Sequence, residues 1–352
     1  MPTRPRTKSS LDELAASLHN ADMAVVARCP PAAVRSRGAV TTADWAREVR
    51  ARRETSERSA MASLTGFEKI VRRDEPLDMH TWFRLGGPAD YLAEPTTPEE
   101  LMALMRRCQE EDLPVRVLGS GSNILVRDEG VPGMVLRLIA PAFGDIRIDG
   151  DTITAGGGAK LGRVITAAVH QGLAGLESLV AIPGTLGGAL HGNAGAHGGD
   201  VGQWTAEVTV VSRTGQVAQR PREDLVFGYR QSSLDDPVIL SATLQLERDD
   251  PRELARRLQK QWILRKASQP MGHQCAGCVF KNPRGVSAGE LIEQAGLRGT
   301  RIGGAVVSDR HANFIIAEPE ATSNDVLRLI DLIRSQVHDR LGVELELELE
   351  IW

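Results

Sequence analysis

Ala181-Ile182-Pro183-Gly184-Thr185-Leu186-Gly187-Gly188-Ala189 leads through two residues into Gly192-Asn193-Ala194-Gly195-Ala196-His197-Gly198-Gly199, and seven of the sixteen residues 184–199 are glycine. Each glycine costs conformational entropy on folding, so a plain connection seldom carries so many. The tract is also too long for a simple turn. Main chain packed closely against a large flat ligand explains it better.

Some sixty residues earlier, Gly119-Ser120-Gly121-Ser122-Asn123 lies between two short apolar runs, 115–118 and 124–126, that read as strands. Successive small residues let backbone N–H groups converge on an anion, so a phosphate or pyrophosphate is the natural guest. The loop is not a P-loop, because it lacks the Gly-Lys-Ser/Thr ending. Nor is it a Rossmann fingerprint, because a strand follows it instead of a helix. A tight turn explains this loop equally well when it is taken alone. The two loops together point to a dinucleotide or a flavin.

Around the loops the order of elements is mixed. Residues 97–112 place Leu101, Leu104, Met105 and Cys108 at helical spacing behind a Thr cap and early acids. Residues 145–155 read as a hairpin turning at Gly150-Asp151, and 160–171 as a helix. Strands are expected at 207–212, 216–219 and 238–247, and a basic amphipathic helix at 251–266. A last unit has helices near 287–296 and 323–341, strands at 303–307 and 312–317, and a terminal strand. This order predicts an α+β protein of two main units, 63–262 and 263–352, not a regular βαβ array. Residues 1–62 have weak periodicity and read as a loosely ordered extension, so that Met61 is a possible start of the compact protein.

Composition narrows the function. The formal charge is −4, and residues 1–60 hold eleven Lys or Arg against seven acids, so the basic excess is confined to the extension. Nucleic-acid binding is not suggested. No run approaches the roughly 20 apolar residues of a membrane helix. The N-terminus has no secretory apolar region. Four cysteines in 352 residues are no disulfide scaffold. A cytoplasmic protein, monomeric and bound to neither nucleic acid nor membrane, is the expectation.

A longer series of motifs carries a specific resemblance. Thr81-Trp82-Phe83-Arg84-Leu85-Gly86-Gly87-Pro88-Ala89 is followed in order by the 119–123 loop, the 182–189 loop and Phe227-Gly228-Tyr229-Arg230. Next come Gly277-Cys278-Val279-Phe280-Lys281-Asn282-Pro283, Ser287-Ala288-Gly289, Leu291 to Gly296, Ile302-Gly303-Gly304-Ala305 and His311-Ala312-Asn313-Phe314-Ile315. From about residue 63 to the C-terminus the chain resembles the UDP-N-acetylenolpyruvoylglucosamine reductases, in their shorter size class. The resemblance implies an FAD-binding unit of the vanillyl-alcohol-oxidase type and a smaller C-terminal substrate unit. It implies NADPH-dependent reduction of UDP-N-acetylglucosamine enolpyruvate to UDP-N-acetylmuramate in peptidoglycan precursor synthesis. FAD would be non-covalent, since the first loop has no histidine, with NADPH as co-substrate. Its pyrophosphate would lie on Gly119, Ser120, Gly121, Ser122 and Asn123. Its ring would face Ile182, Gly184, Thr185, Gly188, Ala189, Asn193 and Gly195. Another flavin oxidoreductase on the same scaffold, or a non-catalytic nucleotide-sugar-binding protein, are the competing readings.

The resemblance also assigns roles. Arg230, which alone reads as a surface arginine in a turn, matches the catalytic arginine; a planar five-donor cation suits a carboxylate beside a developing enolate. Residues 343–351 read as a period-two strand with four glutamates on one face. Periodicity selects none of them; the resemblance selects Glu348, with Glu346 and Glu350 as fallbacks. Cys278 stands where the family usually has the serine that protonates the intermediate. A thiol is a stronger acid than an alcohol, and basic neighbours such as Lys281 would lower it further. Cys275 and Cys278 also form a Cys-x-x-Cys, readable as a redox pair; zinc would need two further ligands. Tyr229, Lys281, Asn282 and Gln294 match positions near the substrate's nucleotide-sugar. The tyrosine-bearing loop of the longer class has no counterpart here.

Overall fold

In a computed structural model the protein is described over residues 64–196 and 198–352. The expectations for residues 1–62 lie outside the described residues. Strands β1 (Val71–Pro76), β2 (Pro88–Ala93), β3 (Val115–Val117) and β5 (Val131–Leu136) form a mixed sheet in the order β1-β2-β5-β3. Between them lie helix α1 (Pro98–Glu110) and the two-residue strand β4 (Ile124–Leu125). The Thr97 side chain caps α1 by accepting from the Glu100 N–H, and the predicted stripe Leu101, Leu104, Met105 and Cys108 is buried.

A second, antiparallel sheet has five strands. The hairpin β6 (Ile146–Asp149) and β7 (Thr152–Gly156) turns at Gly150, whose φ of 57° suits glycine. Beyond it come helix α2 (Leu161–His170), the six-residue helix α3 (Leu186–His191), and strands β8 (Thr205–Val211), β9 (Val217–Pro221) and β10 (Val238–Gln245). The sheet order is β9-β8-β10-β7-β6. Helix α4 (Pro251–Ser268) packs Leu254 and Leu258 into the same core as α2 and α3. The tract expected to be loop throughout thus contains α3, capped by Thr185.

The C-terminal unit contains α5 (Ala288–Gln294), the small sheet β11 (Arg301–Ile302), β12 (Ala305–Val307), β13 (Ile315–Ala317), and α6 (Ser323–Leu341). Its core takes in Phe83, Leu85 and Leu125 from the first unit. The Thr81 to Gly87 motif is therefore a joint between cores. α6 ends at Gly342 with φ 68°, a left-handed cap that releases the chain into its last extended segment.

That segment corrects one expectation. It is a paired strand only at its end, β14 (Glu350–Ile351), parallel to β4. Upstream it faces residues 279–281 instead, through the Phe280–Leu347 bridge and the Lys281 N–H on the Glu346 carbonyl. At the change of partner the Glu348 and Leu349 N–H groups share the Val279 carbonyl, two residues opposite one as in a bulge. The alternation breaks there. The Glu346 side chain is 80% exposed while that of Glu348 is 19% exposed.

Candidate active site

The two glycine loops meet. Ser122 Oγ donates to the Pro183 carbonyl at 3.1 Å, and a Cβ at Gly119 would lie 2.9 Å from Thr185 Oγ1. Gly121 has φ 67°, and a Cβ there would lie 2.2 Å from the His80 carbonyl oxygen. Among the described residues, no protein acceptor takes any of the five consecutive backbone N–H groups from Gly119 to Asn123. Lys160 stands beside them, its Nζ donating to Ser120 Oγ at 3.0 Å. Five free amides and a lysine fit a diphosphate, so this chain's residues suit the pyrophosphate of FAD.

The other loop contributes differently. Its amides are largely satisfied within the protein: Leu186 N–H reaches the Ala159 carbonyl, Gly187 the Gly157 carbonyl, and Gly188 the Thr185 hydroxyl. Ile182, Gly184 and Thr185 remain partly exposed, and Ala189 is buried. Asn193 is 2% exposed with its side chain fully engaged, its Oδ1 accepting from Gly202 N–H and its Nδ2 donating to the Gly228 carbonyl. It fixes the segment that leads into Arg230. Asn123 is likewise engaged: its Nδ2 donates to the Glu348 carbonyl and its carbonyl accepts from Glu350 N–H.

Three chemically active side chains converge from three segments. Arg230 Nε lies 2.6 Å from Glu348 Oε1, and its Nη1 donates to the Gly195 carbonyl at 2.8 Å. Arg230 has φ 56°, an unfavourable conformation for a side-chain-bearing residue that the surrounding bonds hold in place. Burial raises the Glu348 carboxyl above the usual carboxylate range, with Arg230 and then Lys281 acting in the opposite direction. The Cys278 thiol is pushed up to about 12 by burial, then by the charge of Glu348; Arg230, Arg265 and a hydrogen bond from Asn313 oppose this. It is therefore a protonated thiol at neutral pH. Lys281 is not among the groups acting on it; its Nζ lies 3.6 Å from Glu346.

Tyr229 stacks beside Arg230, with the guanidinium carbon 5.3 Å from the ring centroid, and its hydroxyl accepts from Asn282 N–H at 3.1 Å. Asn282 Oδ1 accepts from Ala288 N–H next to the Ser287–Glu290 capping box of α5. Tyr229, Lys281 and Asn282 thus border the Arg230, Cys278 and Glu348 cluster. Gln294 is exposed at the end of α5, and no hydrogen bond among the described residues joins it to them. Cys275 is buried, its thiol raised to about 12 by burial alone and directed at the Pro270 carbonyl.

Three residues were missed from sequence. On α4, Gln261 and Arg265 continue the face of Leu254 and Leu258, yet Gln261 Oε1 and Arg265 Nε are buried without partners. Arg265 acts electrostatically on both Cys278 and Arg230, so this helix face brings a third polar side to the cluster. The readable signal was a polar i, i+4 pair extending an apolar stripe. Lys160 left no such signal.

A loop of free amides tied to Lys160 and, through Asn123, to the segment of Glu348 beside Arg230 and Cys278 has the residues of a flavin-binding oxidoreductase. Residues 89–219 match the FAD binding domain family, and residues 269–352 match the family described as UDP-N-acetylenolpyruvoylglucosamine reductase, C-terminal domain. The UDP-N-acetylenolpyruvoylglucosamine reductase 2 of Symbiobacterium thermophilum is 47% identical over 284 residues, covering 80% of this chain and 92% of the relative. The reductase of Heliobacterium modesticaldum is 43% identical over 282 residues, covering 79% and 90%. The crystal structure of the Thermus caldophilus reductase is similar at a TM-score of 0.69 with 37% identity, covering 80% of this chain and 98% of that one. The chain belongs to the UDP-N-acetylenolpyruvoylglucosamine reductase family.

Proposed function

We propose that Arg230, Glu348 and Cys278 carry the chemistry of an NADPH-dependent reductase that converts UDP-N-acetylglucosamine enolpyruvate to UDP-N-acetylmuramate. FAD, when bound, supplies the redox chemistry between NADPH and the enol-ether double bond. Residues 63–262 form its binding unit and 263–352 the substrate unit. The free amides of residues 119–123, with Lys160, hold the pyrophosphate. Ile182, Gly184, Thr185, Gly188, Ala189 and Gly195 form the wall against the ring, and Asn193 braces that wall.

Hydride addition leaves negative charge beside the substrate carboxylate. Arg230, braced by Gly195 and Glu348, is placed to stabilise that charge with directed donors, and Arg265 adds a second cation. Cys278 is the acid that protonates the adjacent carbon. A thiol raised to about 12 is almost wholly in its donor form at neutral pH. Tyr229, Lys281, Asn282 and Gln294 receive the nucleotide-sugar. The reaction is placed in the cytoplasm, with the protein acting as a monomer.

The observation that supports this most is the convergence of Arg230 and Glu348 at 2.6 Å, with both acting on the Cys278 thiol. The test is NADPH oxidation by the FAD-loaded protein with and without the enolpyruvyl substrate. Oxidation only in its presence, with UDP-N-acetylmuramate as product, supports the reading. Substrate-independent oxidation would assign the scaffold to another flavin chemistry.

A further inference from the structure

Asn313 is 2% exposed, and its hydrogen bonds go to the segment that carries Cys278. Its Oδ1 accepts from Phe280 N–H at 2.9 Å, and its Nδ2 donates to the Phe280 carbonyl at 2.8 Å. Its own carbonyl accepts from Val279 N–H at 2.9 Å. Three bonds thus grip the two residues after Cys278 from one side. On the other side, the Val279 carbonyl accepts from Glu348 and Leu349 N–H. One short stretch of main chain therefore sets both the acid and the carboxylate, and Asn313 fixes that stretch.

The Asn313 main chain is itself held in place. Its N–H donates to His311 Nδ1 at 3.3 Å, and the His311 ring packs edge-on against Phe314 with centroids 4.9 Å apart. Gly289 leaves room for that ring, since a Cβ there would lie 3.2 Å from it.

We infer that Asn313 is a positioning residue for the protonation step, fixing the main chain that carries Cys278 and so holding its thiol against the reacting carbon. This rests on the reading of Cys278 as the acid. The S–H bond breaks, a C–H bond forms, and the thiolate is reprotonated from solvent before the next turnover. Hydride transfer from NADPH to the flavin makes no use of Asn313.

The test separates the two half-reactions of the FAD-loaded protein. Asn313→Ala is expected to leave flavin reduction by NADPH and KM for the enolpyruvyl substrate unchanged. It should slow reoxidation of the pre-reduced enzyme by that substrate on the order of 10- to 100-fold, the loss that a small misplacement of a reacting group brings. In a Cys278→Ala background, Asn313→Ala is expected to add nothing. If Asn313→Ala fails to retain FAD, the near-isosteric Asn313→Asp, which keeps the acceptor for Phe280 N–H, is read by the same criteria. Wild-type reoxidation in whichever variant retains FAD overturns the inference, as does equal slowing of both half-reactions. If Cys278→Ala itself reoxidises normally, it is the reading of Cys278 that fails.

Discussion

Arg230 Nε and Glu348 Oε1 lie 2.6 Å apart although they belong to different units of the chain. Arg230 is held in a left-handed conformation between the Tyr229 ring and the Gly195 carbonyl. Glu348 is turned inward at the point where the last segment exchanges residues 279–281 for β4. The pair therefore depends on the last segment lying against residues 279–281 and β4, and it borders the thiol proposed as the acid.

Arg230→Lys retains the charge but loses the planar fork that reaches Gly195 and Glu348 together. Its turnover is expected to fall about 100-fold or more, in line with the loss of an oriented charge-stabilising donor. FAD absorbance should be unaffected. Steady-state kinetics on the flavin-loaded variant checks this, and a change confined to KM would contradict it.

Burial raises the thiols of Cys108, Cys275 and Cys278 to about 11, 12 and 12 respectively. In the unfolded chain they ionise near 8.5. Above roughly pH 9 the unfolded state releases protons that the folded state keeps, so stability falls as pH rises. Each thiol contributes up to about 1.4 kcal/mol per pH unit until its folded pKa is reached. Urea unfolding at pH 8, 9 and 10 should show this decline, and Cys108→Ala should make it shallower. An unchanged slope in the variant would contradict the argument.

The first glycine loop yields two separable outcomes. Gly121→Ala places a Cβ against the His80 carbonyl and strains a positive φ, so it should cost several kcal/mol and lose FAD together with the fold. Lys160→Ala touches only an exposed cation. It should leave melting of the apoprotein unchanged while weakening FAD affinity about tenfold, with reduced salt dependence. Flavin titration of both variants distinguishes them.

Tyr229→Phe removes the acceptor for Asn282 N–H. The tyrosine is 53% exposed, so stability should change by no more than about 1 kcal/mol. The 281–283 segment loses its tie to Arg230, so KM for the nucleotide-sugar should rise more than kcat falls. A Tm scan with Michaelis–Menten analysis settles the comparison.

Much of this was legible in the sequence, and the failures have physical causes. The Thr cap and apolar stripe of α1 and the hairpin at Gly150 rest on local chemistry, so local reading located them. Glu348 could not be chosen by pattern because the alternation of its segment is broken by a change of partner, which is a tertiary event. Asn123 and Asn193 read as ligand contacts; that their side chains also hold main chain is a second role that only the bond partners reveal. Lys160 and Arg265 face the site from elements whose orientation is set by packing.

The account stands most directly on Cys278 as the acid. Enzyme pre-reduced with NADPH under anaerobic conditions should be mixed with UDP-N-acetylglucosamine enolpyruvate, for the wild type, Cys278→Ser and Cys278→Ala, while the flavin absorbance is followed. The predicted result is rapid reoxidation in the wild type, a largely preserved rate with serine, and a loss of about 100-fold or more with alanine. Flavin reduction should be the same in all three. Reoxidation of Cys278→Ala at the wild-type rate would contradict the assignment and pass the proton to another group.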